Sequence, residues 1–370
     1  MILPLGVDLG NADLKLSGPR RDALISMPHA LARVPSTDAR DPSLVPPAAD
    51  PWDYLHAEVL SPALPRPVEV YAGMLAAREY PHLTEEAREG EAKAGSDRHL
   101  ILALVSMATA LHQANPSQSH YTVALAVALP LAEAAHKEAR EQLAQRLRAD
   151  HLVAFRSTPG LVGREITLRL AHVDVVPEGA AAYFSLIQRD PTLVNQHVLL
   201  VDVGARSLDW AVFGPQGRFA LGLSGGTADG GLIVAADRIL AGARSAFGPH
   251  VARHRQDVLT ALRDARLQGT PARLWGNGRP YEIPDLVDAE LTRLARDVAR
   301  LVSDVVQRMG RVDHLALVGG GGALLAPYLA RVSDLPWLLV DNAPWANAYG
   351  LYHRAQAQLQ QQVAATAAAR

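Results

Sequence analysis

Apolar and polar positions change period repeatedly along this chain, and each change marks an element. Residues 2–16 alternate around a break at Gly10–Asn11, which predicts two short strands joined as a hairpin. Residues 35–67 are rich in proline and poor in periodicity, which predicts a long loop or a small irregular subdomain. Helical spacing follows over 83–94 and over 97–114, where Leu100, Leu102, Leu104, Val105, Ala108 and Leu111 lie mostly on one face. The run YTVALAVAL, 121–129, reads as a buried strand. Residues 131–149 return to helix, 166–176 alternate as a strand that Pro177 stops, and GAAAYFSLI (179–187) opens a helix. Strands at 197–213 and 218–223 then restart the N-terminal pattern. Over 286–309, Val287, Leu291, Leu294, Val298, Leu301, Val305 and Met309 share one helix face, and Gly310 ends it. A strand at 314–318 leads into the glycine run 319–322 and a helix at 323–332, and residues 345–369 form a terminal helix.

The order of hairpin, helices and strands thus occurs from residue 2 and again from residue 197. That repetition is the mark of an internally duplicated α/β protein with two similar lobes. The two hairpins carry similar sequences, VDLGNADLKL (7–16) and VDVGARSLDW (201–210), each with an aspartate two residues before a glycine at the bend. In a two-lobed arrangement Asp8 and Asp202 face each other across a cleft.

Composition narrows the setting. The 370 residues are 49% hydrophobic and 20% charged, with a formal net charge of −2, so nothing favours direct binding to nucleic acid or to a membrane. There is no cysteine, which excludes disulfides and thiolate metal sites and fits a reducing, cytoplasmic setting. The N-terminus lacks a basic region and carries Asp8 where a signal peptide is apolar, and the apolar stretches near 100–111 and 121–132 are too short or interrupted to span a bilayer. The fourteen histidines form no recognisable ligand spacing, so no transition metal is assigned. The arginine-rich stretch 251–268 reads as a solvated helix with an apolar face.

The bends carry the candidate chemistry. A glycine hairpin lets backbone N–H groups close on a phosphate with no Cβ in the way. Asp8 and Asp202 would hold magnesium through its waters, and Lys15 would set a cation near the phosphate tail. One Asp-x-Gly is no more than a turn; two at equivalent places in two lobes favour phosphate. The stretch LALVGGGGALL (315–325) runs a strand into four glycines, a bend on which a nucleoside can lie, or a helix entry shaped for packing. It is not a dinucleotide fingerprint, because Leu324 and Leu325 stand where the last glycine would be needed. Glu178, in VDVVPEGAAAY, stands just ahead of a helix. There it can orient a water for attack on a γ-phosphate, or simply complement the helix dipole. Spacing does not choose between those two.

Taken in order, these pieces resemble the actin/Hsp70/sugar-kinase ATPase superfamily, and within it the bacterial actin-like plasmid-segregation ATPases of the ParM-like group. The resemblance covers most of the chain and is weakest over 20–95. It implies duplicated ribonuclease-H-like (actin-like ATPase) domains flanking a nucleotide cleft. The first, over 1–190, includes an irregular proline-rich subdomain at about 35–95; the second spans 191–340; and 341–370 returns to the first. VDLGNADLKL looks like the first phosphate motif, with Asp8, Gly10, Asn11 and Lys15 in place. VALPLAE, ending at Glu133, looks like the strand and turn before the family's central helix. VPEGAAAY places Glu178 as the catalytic glutamate. LLVDVGARSLD looks like the second phosphate motif, placing Asp202, as a catalytic and metal residue, with Gly204, Ala205, Arg206, Ser207 and Asp209. LALVGGGGALL looks like the adenosine motif, with Gly319, Gly320 and Gly321. VDNAPWANAYGLYH (340–353) resembles the last strand and the returning helix.

The second motif departs from the family pattern, Asp-x-Gly-Gly-Thr-Thr-x-Asp. Ala205 and Arg206 replace the Gly-Thr pair, and Ser207 keeps a hydroxyl at the second threonine. At this bend Arg206 either points out of the cleft as a solvated charge, the orientation expected here, or points inward, where its guanidinium would fork on a phosphate oxygen. The resemblance implies an ATPase using ATP (or GTP) and Mg, and a homopolymer that assembles with nucleotide and disassembles after hydrolysis. It would position plasmid or phage DNA through a DNA-binding adaptor protein. A small-molecule kinase and a non-polymerising nucleotide switch share the fold. A kinase would need an aspartate base and an acceptor pocket, whereas Pro177–Glu178–Gly179–Ala180 looks more like the water-activating branch.

Overall fold

The computed structural model describes residues 2–18, 24–35, 49–85, 92–252 and 254–368. The chain divides into two compact units, Met1–Ser185 with Asn347–Arg370, and Leu186–Ala346.

In the first unit β1 (Ile2–Leu9) turns back into β2 (Asp13–Ser17), and β3 (Leu24–Pro28) follows. Next come β4 (Leu31–Arg33), β5 (Leu55–Leu60), β6 (Val68–Ala72), the short α1 (Met74–Glu79) and α2 (Asp97–Ala114). Then follow β7 (His120–Leu129), α3 (Leu131–Ala134), α4 (Lys137–Leu147), β8 (Asp150–Phe155), β9 (Glu165–Pro177) and α5 (Ala180–Arg189). The nine strands form one sheet, ordered β3-β2-β1-β7-β9-β8-β5-β6-β4. β7 is buried from Val123 to Leu129, which is why it reads as an unbroken apolar run. α2 is buried from Arg98 to His112, so its apolar residues are not confined to one stripe as a surface helix would require.

The second unit contains β10 (Val198–Val203), β11 (Leu208–Gly214), β12 (Arg218–Phe219), β13 (Gly225–Thr227), α6 (Ile233–Phe247) and α7 (Arg255–Gln268). A small hairpin of β14 (Arg273–Gly276) and β15 (Arg279–Glu282) precedes the long α8 (Pro284–Met309). β16 (His314–Val318), α9 (Gly319–Val332) and β17 (Trp337–Leu339) complete it, and α10 (Ala346–Ala368) takes the chain back to the first unit. Its sheet runs β12-β11-β10-β16-β17, with β13 also on β11. The stripe predicted on α8 faces the core: Leu291, Leu294, Val298 and Val305 are buried, and Gly310 closes the helix at φ 69°.

Both sheets contain the same five-strand core: an antiparallel hairpin, a third strand on its outer side, and two parallel strands on its inner side. This is the duplicated α/β architecture the sequence predicts. The parallel pairing positions the chemistry. Val7, Val127 and Val175 stand in one register row, so the bends after β1, β7 and β9 leave the same edge of the sheet. Asp202 pairs in register with Val318, so the bends after β10 and β16 also share an edge. In open α/β sheets ligands bind at the carboxyl ends of such strands.

Several elements differ from the pattern reading. The proline-rich stretch contains, in its described part, β5 and its pairing with β6 and β8, so residues 55–60 are not a loop. Of the helix expected over 83–94, residues 86–91 lie outside the described residues; the flanks are a turn and a 3-10 turn at Lys93–Gly95. The helix expected over 131–149 breaks at His136, whose backbone is extended, and gives way to β8. The helix expected from 323 starts at Gly319, because the low helix propensity of four glycines hides its first turn.

Gly350 in α10 packs on α5 so closely that a Cβ there would lie 1.6 Å from the Ala181 carbonyl oxygen. Gly350→Ala is expected to lower stability by about 3 kcal/mol, the upper end for overpacking, measured by urea unfolding. Gly222→Ala, at a position with open space around it, should stay within about 0.5 kcal/mol of wild type.

Candidate functional site

At the first bend, β1 delivers Asp8 to the sheet edge with its side chain buried, opposite Lys15 on β2. Gly10 has no substitute: a Cβ would stand 2.4 Å from the Asp13 carbonyl oxygen. His29, just past β3, controls the direction of the loop. Its Nδ1–H donates to the Gly10 carbonyl at 2.5 Å, and its backbone N–H donates to the Ala12 carbonyl at 2.8 Å. A trans peptide holds its C=O and its N–H on opposite sides. With those carbonyls turned to His29, the amides of Asn11 and Asp13 point the other way.

The second bend reaches the same result by another route. Gly231, Leu232 and Ile233, entering α6, donate their N–H groups to the carbonyls of Arg206 (2.7 Å), Gly204 (3.2 Å) and Ala205 (2.7 Å). The amides of Ala205, Arg206 and Ser207 are thereby aimed away from α6 as a consecutive set, the arrangement in which backbone N–H groups cradle an anion. Gly231 must be glycine, since a Cβ would lie 2.7 Å from the backbone of Gly204 and Arg206. Asp202 and Asp209 are both buried and stand directly opposite each other on β10 and β11, so both carboxylates project from the same face. Two like charges in register favour a cation between or beside them.

The glycine run closes against this bend. Gly319 has φ 85°, and a Cβ on it would lie 2.2 Å from Asp202 Oδ1; one on Gly321 would lie 2.7 Å from the Val203 carbonyl oxygen. Gly320, between them, faces open space. No side chain caps α9 at Val318, so its first-turn amides are available to a ligand.

Arg206 is not the freely solvated charge expected of the outward orientation. Leu208 is buried, as it must be, but the Arg206 side chain is only 22% exposed and its Nε donates to Asp229 Oδ1 at 3.2 Å. Asp229 lies in the glycine-rich segment before α6, so this ion pair ties the phosphate-type loop to the helix entry that shapes it.

Glu178 follows β9, level with Gly10 two strands away, and its N–H donates to the Leu129 carbonyl at 2.7 Å. Its side chain is buried and accepts at Oε1 from Lys93 Nζ at 2.8 Å. Lys93 is equally buried and held by its backbone: the two oxygens of Glu133 accept the N–H groups of Lys93 (3.0 Å) and Ala94 (3.1 Å). Beside it, His99 packs edge-on against His29 with ring centroids 4.3 Å apart, and neither of its ring nitrogens has a hydrogen-bond partner. Burial, reinforced by its neighbours His29, Lys93 and Arg98, pushes His99 far below the usual histidine range, so it stays neutral.

Within the first unit, then, Asp8, Gly10, Asn11, Lys15 and Glu178 gather at one sheet edge. Within the second, Asp202, Gly204, Ala205, Arg206, Ser207, Gly319, Gly320 and Gly321 gather at another. The pattern reading missed Lys93, Glu133, His29 and Asp229. Lys93 sits in a charged alanine-rich segment with no motif around it, and nothing local marks it. Among the described residues no cluster of three or more His, Cys, Asp or Glu could hold a metal by itself. The donor set suits an ion bound by one or two carboxylates, water and phosphate oxygens, which is the way magnesium is usually held.

The fold is the actin-like one. Residues 6–180 match the family described as the actin-like proteins N-terminal domain. The chain superposes on the 15-stranded ParM filament structure from Clostridium botulinum with a TM-score of 0.76, at 18% identity, covering 96% of this chain and 99% of that one. Against the actin-like protein Alp7A the TM-score is 0.74, at 15% identity, covering 99% of both chains. Against Bacillus thuringiensis ParM with ADP it is 0.70, at 18% identity, covering 97% of this chain and 99% of that one. No curated protein matches the sequence.

The neutral, buried His99 has a consequence for stability. The unfolded chain protonates this histidine below its ordinary value of 6.5, while the folded state does not. The unfolded state therefore binds more protons at acid pH, and stability falls as pH drops through that value. His99 alone should contribute up to about 1.4 kcal/mol of loss per pH unit below it. Unfolding free energies of wild type and His99→Leu between pH 7 and 5 test this; equal slopes for the two would refute it.

Proposed function

We propose that this chain is an actin-like ATPase of the ParM-like group, which binds a magnesium-bound nucleoside triphosphate, hydrolyses it, and assembles with copies of itself into nucleotide-dependent filaments. The observation that carries the reading is the pair of glycine bends whose carbonyls are drawn to one side, by His29 in one unit and by the entry of α6 in the other. Each presents backbone amides, beside a buried aspartate, at the carboxyl end of parallel strands. Structures of B. thuringiensis ParM with ADP, with ATP and with AMPPNP, and the filament structure of C. botulinum ParM, support the nucleotide and the self-assembly.

In this reading Gly10, Asn11, Gly204, Ala205, Arg206 and Ser207 bind phosphate through their backbones, with Lys15 adding a cation. Gly319, Gly320 and Gly321 form the surface on which the nucleoside lies. Asp8 and Asp202, with Asp209 beside it, hold magnesium, which when bound neutralises phosphate charge. Glu178 orients the attacking water and accepts its proton. ATP is the expected nucleotide, and GTP fits the same backbone contacts. The weak net charge and the absence, among the described residues, of a helix long and apolar enough to cross a membrane fit a cytoplasmic filament. Such a filament would position plasmid or phage DNA through a DNA-binding adaptor protein rather than by direct contact.

The test is sedimentation with and without Mg-ATP or a slowly hydrolysed analogue, run alongside calorimetry. Wild type should pellet only with nucleotide. Asp8→Ala and Asp202→Ala should lose magnesium-dependent affinity, and unaltered affinity in both would remove the metal assignment. Glu178→Ala should bind ATP normally, hydrolyse it on the order of a hundredfold more slowly, and form persistent filaments. A protein that binds ATP but stays monomeric under every nucleotide condition would point to a kinase or a switch on the same fold.

A further inference from the structure

We infer that Lys93 is the positioning residue of the hydrolytic centre: it fixes the Glu178 carboxylate so that one oxygen is committed to the ammonium and the other is left to orient water. The inference rests on the reading of Glu178 as the water-orienting base and deepens it.

The geometry leaves little freedom to either partner. Lys93 Nζ and Glu178 Oε1 are 2.8 Å apart, and their side chains are 5% and 8% exposed. A buried carboxylate needs a partner, because desolvation of an isolated charge is costly. The lysine needs one equally. Its own placement does not depend on a flexible stem alone: the Glu133 carboxylate grips the N–H groups of Lys93 and Ala94, and Arg146 donates to the Gly95 carbonyl and pairs with Asp97.

Glu178 is gripped at the other end by the bond from its N–H to Leu129, and is followed by Gly179 at φ 80°. Backbone and carboxylate are thus both fixed, and the remaining oxygen, Oε2, has one direction to present. A general base must meet the proton it takes within hydrogen-bond reach. Anchoring one carboxylate oxygen converts a rotatable side chain into a fixed acceptor, which is the entropic part of catalysis by orientation.

The test is a double-mutant cycle on the full chain, read as single-turnover ATP hydrolysis, with nucleotide affinity measured separately. Lys93→Met should slow hydrolysis at least tenfold with affinity within a few-fold of wild type, and Lys93→Arg should recover part of the loss. In the Glu178→Gln background, Lys93→Met should cause little further loss, because the lysine acts through the carboxylate. A full and independent loss in that background, or wild-type turnover in Lys93→Met alone, would overturn the inference. Wild-type turnover in Glu178→Gln would instead overturn the reading of Glu178 itself. Should Lys93→Met fail to fold, the Lys93→Arg and Lys93→Gln variants close the same cycle, with Lys93→Gln keeping a donor without the charge.

Discussion

Planarity of the trans peptide bond is the constraint on which this molecule's candidate chemistry depends. A loop of three or four residues cannot aim its amides anywhere unless something claims its carbonyls. Two different claimants do so here. At the first bend it is one imidazole and its own backbone N–H, both from His29. At the second it is three successive N–H groups entering α6. These are groups that a helix start must satisfy in any case, so the loop and the helix complete each other.

The two units share strand order and bend chemistry but differ in charge. Opposite Asp8 stands a lysine; opposite Asp202 stands a second buried aspartate. The first bend carries its compensating cation on the same hairpin. The second carries two carboxylates in register on one face of the hairpin. Duplication has therefore preserved the backbone while the electrostatics of the two copies have diverged. Arg206, engaged by Asp229, belongs to the framework of the second bend.

The strands and helices that carry the motifs were legible because their periods are clean: β7 as an unbroken apolar run, α8 as a stripe, and the two hairpins as repeated Asp-x-Gly bends. The start of α9 was hidden by its glycines, which have poor helix propensity; two of them, Gly319 and Gly321, are there because Asp202 and Val203 approach too closely for a Cβ. β5 was hidden by the prolines around it. Of the candidate site, the residues in motifs could be read, whereas their partners could not. Lys93 is 85 residues from Glu178 along the chain, and His29 is 19 residues from Gly10. Such pairings are made by sheet register and leave no local signature.

The return of α10 to the first unit has a consequence for biosynthesis. The second unit is one uninterrupted span of sequence, whereas the first is discontinuous and is completed by residues made after the second. Gly6 on β1 packs against the backbone of Tyr352, and Gly350 packs against Ala181. On the ribosome the second unit can therefore close as soon as its own span has emerged, while the first waits for its last helix. Until α10 docks, the first unit lacks part of the packing around β1 and α5, the elements that flank its half of the candidate site. The order of translation thus keeps that half unfinished until the rest of the chain is in place.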